Sequence, residues 1–267
     1  MKILVTGAAG SIGSELTRQL SKKNKVIAID QDESGLFDLE GVIPEICNIR
    51  DYQKLDFIIR KYKPDVIFHA AAYKHLSRYE REHFGEIIDT NVVGTKNLIM
   101  LCQKYNIKKF IFISTDKAVN PTSLMGATKL VGEIIVRRSG YTVVRFGNVK
   151  ESRGSVIPIW RKQVDKGKPL TITEFGMKRY FMSIKDACGL VIEASKIGGG
   201  GQTVILDMGK QRYIKDVAKE LFGDYPIRRI GAKDGEKLEE VLMTKDEKER
   251  MEIVKIKGNK FFVIKND

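Results

Sequence analysis

Through residues 1–150, short apolar runs alternate with stretches whose apolar residues recur every three or four positions. That alternation is the pattern of a parallel sheet whose strands are joined by crossover helices. The predicted strands are Lys2–Thr6, Lys25–Asp30, Val66–His69, Phe110–Ser114 and Thr142–Phe146, each nearly continuous in apolar residues. Strands covered on both faces read in this way. Helices are predicted near Ser11–Lys22, Gln53–Lys61, Thr90–Tyr105 and Ser123–Arg138. In the last of these, Ala127, Leu130, Val131, Ile134 and Ile135 form a stripe at helical spacing, expected to face the core. Met125 and Lys129 lie one turn apart on a face offset from it.

After Asn148 the texture changes. GNVKESRGSVIP reads as a polar loop, Val156–Lys166 as a helix, PLTIT as a short strand and Ile184–Lys196 as a further helix. The run Gly198–Gly201 caps that helix, and TVILDMG reads as another strand. The pattern predicts an α/β protein with a Rossmann-type doubly wound parallel sheet and a small α/β lobe. Residues 1–150 form the sheet domain, with 184–208 returning to it. Residues 151–183 and 209–267 form the lobe. No linker separates the parts, so a shared interface is expected.

Composition narrows the class. No apolar run approaches the roughly 18 residues of a membrane span, and the first predicted strand begins at Lys2. Cys47, Cys102 and Cys188 show no metal-ligand spacing and suit reduced thiols, so a cytoplasmic location without a zinc site is expected. The net charge of +13 raises nucleic-acid binding, but the 47 Lys and Arg are interleaved with 34 acids rather than gathered in an aromatic-rich stripe. No nucleic-acid partner is expected. A basic surface that attracts a diphosphate-bearing substrate accounts for the charge better.

Candidate chemistry begins at KILVTGAAGSIG, residues 2–13. Gly7, Gly10 and Gly13 follow a strand and open a helix whose first residues include Ser11 and Ile12. A tight turn, close approach to a pyrophosphate and helix N-terminal amides are what a dinucleotide needs there. The next strand ends at Asp30, whose carboxylate can accept hydrogen bonds from ribose hydroxyls and would repel a 2′-phosphate. NAD is therefore expected over NADP. In CNIRD, Asn48 and Ile49 can flank the adenine, or form a plain loop. The stretch STDKAVNPTSLMGATK, residues 114–129, carries Met125 four residues before Lys129, where such folds usually place an acid/base tyrosine. A thioether neither gives nor takes a proton at pH 7.

TGAAGSIGSEL, HAAAYKHL, TNVVGTKNL, ISTDKAVNPTSLMGATK, RFGNVKESRGSVIP, RYFMSIKDA and GAKDGEKLEE run in order over nearly the whole chain. Together they resemble the extended short-chain dehydrogenase/reductase superfamily. More narrowly, they resemble the nucleotide-sugar 4,6-dehydratases of the polysaccharide-biosynthesis CapD-like family, in its methionine-containing branch. The resemblance implies bound NAD, a UDP-N-acetylhexosamine such as UDP-N-acetylglucosamine, and a UDP-4-keto-6-deoxy product. Rival readings are a UDP-sugar 4-epimerase and a catalytically silent NAD-binding sensor or scaffold.

Residue by residue, the resemblance implies that Thr115 holds the sugar 4-oxygen. Asp116 and Lys117 form an acid/base pair for the 5- and 6-positions, in either order. Lys129 binds the nicotinamide ribose, and Ala70, Ala71 and Ala72 line the cofactor. Lys74, Asn91, Asn148, Arg153, Arg179 and Lys237 fall on the substrate side, Asn91 in a packing or cofactor role. Tyr73 is a substitute phenol or a packing residue, and His75 is a weak candidate. RYEREHFGEI lacks the Asn-Pro pattern usual at its place, and a homodimer is expected. Larger relatives carry membrane spans ahead of the glycine motif, so the chain is expected to match their soluble catalytic core with a reduced cap.

Overall fold

The computed structural model describes residues 1–75 and 82–265. Part of RYEREHFGEI therefore lies outside the described residues. The first six strands are β1 (Lys2–Thr6), β2 (Lys25–Asp30), β3 (Ile43–Ile46), β4 (Val66–His69), β5 (Lys109–Thr115) and β6 (Thr142–Phe146). They pair in parallel in the order β3-β2-β1-β4-β5-β6. The order reverses between β1 and β4, and open sheets of this kind bind ligands in that crevice, beyond the strand C-termini.

Alternation along the strands explains the three layers. In β1, Ile3 and Val5 join one core, with Leu16 and Leu20 of the Ser11–Ser21 helix and Ala187, Cys188 and Val191 of the Ile184–Ile197 helix. Leu4, between them, joins the opposite core with Leu55, Ile58, Leu98 and Leu101. The Phe84–Ile88, Asp89–Gly94 and Thr95–Lys104 segments follow one another without a break, and the middle one is a π-helical stretch.

The second half is more divided than its sequence pattern. It begins with β7 (Asn148–Val149), β8 (Leu170–Ile172), β9 (Lys178–Arg179) and β10 (Phe181–Met182). Beyond these come β11 (Thr203–Leu206), β12 (Arg212–Tyr213), β13 (Ile227–Arg229), β14 (Met251–Ile256) and β15 (Asn259–Ile264). β11 extends the main sheet in parallel beside β6. The β14–β15 hairpin then adds antiparallel to β11 and completes nine strands among the described residues. Residues 251–264 thus belong to the sheet rather than to the lobe expected over 209–267. Phe261 and Val263 are buried in the sheet's core, while β14 is an edge strand whose alternating exposed residues hid its role. The lobe has its own core of Ile157, Trp160, Leu170, Ile172, Ile214 and Val217, with the Trp160 indole donating to Thr171 O.

The Leu124–Arg138 helix also differs from expectation. Its buried face carries Met125, Thr128, Lys129, Gly132, Glu133 and Val136, whereas Val131 and Ile134 are exposed. Polar residues are tolerated inside because each finds a partner. Glu133 pairs bidentately with Arg145 of β6, at 3.0 and 2.6 Å, and accepts from the Ser114 hydroxyl at 2.5 Å. Arg145 also pairs with Glu247 and donates to Leu242 O. Glu247 in turn closes a capping box with Thr244 at the start of the Lys245–Glu249 helix. Arg145→Ala would strand two carboxylates in the interior. A loss of about 3–5 kcal/mol in unfolding free energy is expected in urea titration, and an unchanged midpoint would show that the network carries no stability.

Candidate active site

Gly7 sits at φ 68°, in the region L side chains avoid, and a Cβ there would stand 2.6 Å from the Ala71 backbone. At Gly13 a Cβ would meet Gly7 O at 1.9 Å. The turn therefore closes against both the segment that follows β4 and its own helix, leaving a cleft at the β1–β4 crevice. Gly7, Gly10, Asp30, Asn48, Ile49, Ala70, Ala71 and Ala72 all line it, together with Gln31, Cys47, Tyr73 and Thr90. Of the last four, Tyr73 was singled out as a phenol or packing residue, whereas Gln31, Cys47 and Thr90 were not expected at the cleft. Gln31 could have been, since it directly follows Asp30.

Asp30 accepts from Ala9 N at 2.9 Å through Oδ2 and from Asp32 N at 3.1 Å through Oδ1. Each oxygen keeps capacity to accept a further hydrogen bond. Asn48 donates to Gln31 and accepts from Arg50 N, fixing its amide at the cleft wall. This donor set, with the glycine cradle, fits a dinucleotide: backbone amides for a pyrophosphate and a carboxylate for ribose hydroxyls.

A second cluster forms where β5 ends. Thr115 caps the short Asp116–Ala118 turn, and its hydroxyl donates to Asp116 Oδ1 at 3.0 Å. Lys117 Nζ lies 3.0 Å from Asp116 Oδ1 and 3.0 Å from Asn148 Oδ1. Asp116 is wholly buried, whereas the Lys117 side chain is 19% exposed. Asp116 Oδ2 makes no hydrogen bond within the described residues and faces Gly147, where a Cβ would stand 3.1 Å from it and 2.9 Å from Tyr180 Cβ. Tyr180 and Gly147, both within the family-like motifs, are neighbours of this carboxylate that sequence reasoning missed.

Other predicted residues have different settings. Asn91, 1% exposed, accepts from Tyr73 N and donates to Tyr73 O and Thr128 Oγ1, clamping the loop after β4 onto the Leu124–Arg138 helix. It positions Tyr73 and Lys74 rather than presenting its amide to a ligand. Arg179, expected on the substrate side, is 3% exposed and donates to Lys178 O, Leu238 O and Lys237 O. Lys237 donates to Val119 O and pairs with buried Glu240. Both cations fasten the segment around Lys237 to the body of the protein, because burial demands a partner for each charge. Arg153 lies beside Ser11 and Asp32, near the glycine turn. Packing around Lys74 and the nearby Arg153 guanidinium lower its pKa.

His69 ends β4 inside a hydrogen-bonded chain. Thr95 Oγ1 gives its proton to Asn91 O, so it accepts from His69 Nε2–H, and Thr6 Oγ1 donates to Nδ1. Burial and nearby Lys129 hold this imidazole neutral, well below the usual histidine range.

Lys129 and Met125 are both buried. Lys129 Nζ donates to Ile113 O at 2.5 Å and sits 3.8 Å from the Phe112 ring centroid. In this arrangement it lies beneath β5 rather than at the cleft wall.

The chain belongs to a polysaccharide biosynthesis protein family. That family's model matches residues 3–260. The probable polysaccharide biosynthesis protein EpsC of Bacillus subtilis is 41% identical over 92% of this chain, which spans 45% of that protein's length. A UDP-N-acetylglucosamine 4,6-dehydratase (inverting) of Campylobacter jejuni is 34% identical, covering 92% of this chain and 78% of its own. A UDP-glucose 4-epimerase of Rickettsia typhi is 33% identical with the same two coverages. Among solved structures, Pen of Bacillus thuringiensis superposes with a TM-score of 0.87 at 33% identity, over 98% of this chain and 87% of its own. Among the described residues no helix is long and apolar enough to cross a membrane, and no acidic, histidine or cysteine group forms a metal cluster.

Burial depresses the Lys129 pKa to about 7, opposed by Glu133 one turn away. Between about pH 7 and the ordinary lysine range the unfolded chain binds the extra proton. Stability should therefore rise with pH across that window, by at most about 1.4 kcal/mol per unit. Lys129→Met should raise the urea midpoint at pH 7 and abolish that upward trend. An unchanged pH profile would show that Lys129 is not desolvated.

Proposed function

We propose that the protein is an NAD-dependent 4,6-dehydratase acting on a UDP-N-acetylhexosamine, with UDP-N-acetylglucosamine as the expected substrate. The observation that carries this reading is the Thr115–Asp116–Lys117 turn, with both charged groups within hydrogen-bond reach of each other and Thr115 beside them. The Campylobacter relative adds support from a named dehydratase. Gly7, Gly10, Gly13 and Asp30 hold the cofactor in this reading, and Asn48 and Ile49 flank its adenine. When bound, NAD supplies the hydride acceptor and donor for the sugar ring.

The residues then account for the protons. Thr115 holds the 4-oxygen and relays its proton to Asp116, which is too buried to meet the sugar directly. Lys117, the more open member, enters this step as the free amine and takes the 5-position proton. The pair returns one proton to the departing 6-hydroxyl, which leaves as water, and one to the 5-carbon. Two protons leave the sugar and two return, so the pair ends as it began. Asn148 orients Lys117, and Met125 contributes no proton.

Epimerisation at the 4-position is the second reading, favoured by the Rickettsia relative. It needs no proton for a 6-hydroxyl and leaves one member of the pair without a task. Incubation with UDP-N-acetylglucosamine and mass spectrometry separates the two: a product lighter by one water is expected, and an isomer of unchanged mass would replace this reading with the epimerase. Asp116→Asn and Lys117→Ala should each lower turnover by about 10²–10⁴-fold while NAD binding persists. Near-normal rates in either would remove that residue from the chemistry.

A cytoplasmic homodimer is part of the same proposal. The three free cysteines are buried, and Val131, Ile134 and Met100 give two packed helices an outward apolar surface. Light scattering is expected to give twice the chain mass, reduced to one chain by Ile134→Asp. A wild-type monomer would overturn the dimer.

A further inference from the structure

Residues 150–155, just beyond β7, cross from the lobe to the dinucleotide cleft. At one side, Arg153 N donates to Ser11 Oγ at 2.9 Å, in the first turn of the helix that follows the glycine turn. At the other, Gly154, at φ 72°, lies so close to the His75 ring that a Cβ would stand 2.4 Å from Cε1. Ser11 follows the Gly7–Gly10 wall of the cleft, and His75 follows the Ala70–Tyr73 wall. The loop thus bridges the two walls.

The backbone of Arg153 is anchored, whereas its guanidinium is held loosely. The Arg153 side chain is 69% exposed, and its ion pair with Asp32 Oδ2 spans 3.7 Å, too long for a hydrogen bond. Asp32 Oδ1 is committed to Gly35 N as a helix cap. Asp116, by contrast, has Thr115, Lys117, Gly147 and Tyr180 around it, and Arg153 is not among them.

We propose that Arg153 is a cofactor-retaining residue: its guanidinium exchanges the loose contact with Asp32 for the dinucleotide's pyrophosphate, and residues 150–155 strap the cofactor into its cleft. This rests on the dinucleotide reading of the cleft and moves Arg153 from the substrate side, where resemblance placed it. Guanidinium–phosphate pairs are bidentate and charge-assisted, so one such contact carries substantial affinity. Lys74, beside Arg153, adds positive potential at the same mouth.

Calorimetric titration of the full chain with NAD and, separately, with UDP tests this in wild type, Arg153→Ala and Arg153→Lys. Arg153→Ala should raise the Kd for NAD about tenfold with the Kd for UDP unchanged, and Arg153→Lys should fall between. Unchanged NAD affinity with weakened UDP would return Arg153 to the substrate. No change in either would make it a surface cation. A wild type that binds UDP but no NAD would remove the dinucleotide reading along with the strap.

Discussion

The buried Glu133–Arg145–Glu247 network is the constraint on which the site depends. Arg145 pairs in register with Ser114 across β5 and β6, and Ser114 in turn donates to Glu133. One step further along each strand lie Thr115 and Phe146, and beyond them Asp116 and Gly147. The network therefore fixes the two strand ends from which Asp116 and Gly147 follow. Glu247 brings in the C-terminal region, so the helix, the sheet and the chain's last quarter meet at one guanidinium. Apolar residues of similar volume could match its stability. They could not accept the Ser114 hydroxyl or bond the Leu242 carbonyl, which is where directional positioning comes from.

β1, β2, β4, β5 and β6 were legible because they are continuous apolar runs between turn residues, and that signal is local. The Ser123–Arg138 helix was legible as a helix but not in its facing. Its apolar stripe of Val131 and Ile134 points outward, while Lys129 and Glu133 point in. Periodicity assigns the apolar face to the interior. It cannot anticipate that Ile113 O and Arg145 will satisfy an ammonium and a carboxylate there. β14 carried little signal for a related reason, since an edge strand shows little of the composition of a buried one.

The same distinction runs through the site. Gly7 and Asp30 could be set at the cleft wall from sequence because a turn and a strand end impose local demands. Arg179 and Lys237 could not be placed in this way, because a cation's role depends on which carbonyls the fold brings near it. Each lies in a motif typical of a binding loop, yet both are consumed in holding that loop. Gly147 gave a signal that could have been used: a glycine directly before Asn148 suggests a close approach, and the group approaching is Asp116.

Met125 no longer reads as a missing tyrosine alone. It is buried in the first turn of its helix, on the same face as Lys129, and a phenol there would need a partner of its own. With proton transfer proposed on the turn after β5, the segment from Arg145 to Gly154 becomes the connector of the candidate site. Arg145 belongs to the buried network, Gly147 admits Asp116, and Asn148 holds Lys117. Arg153 fastens to Ser11, and Gly154 packs on His75. One continuous stretch of backbone thereby joins the turn after β5 to the glycine-lined cleft.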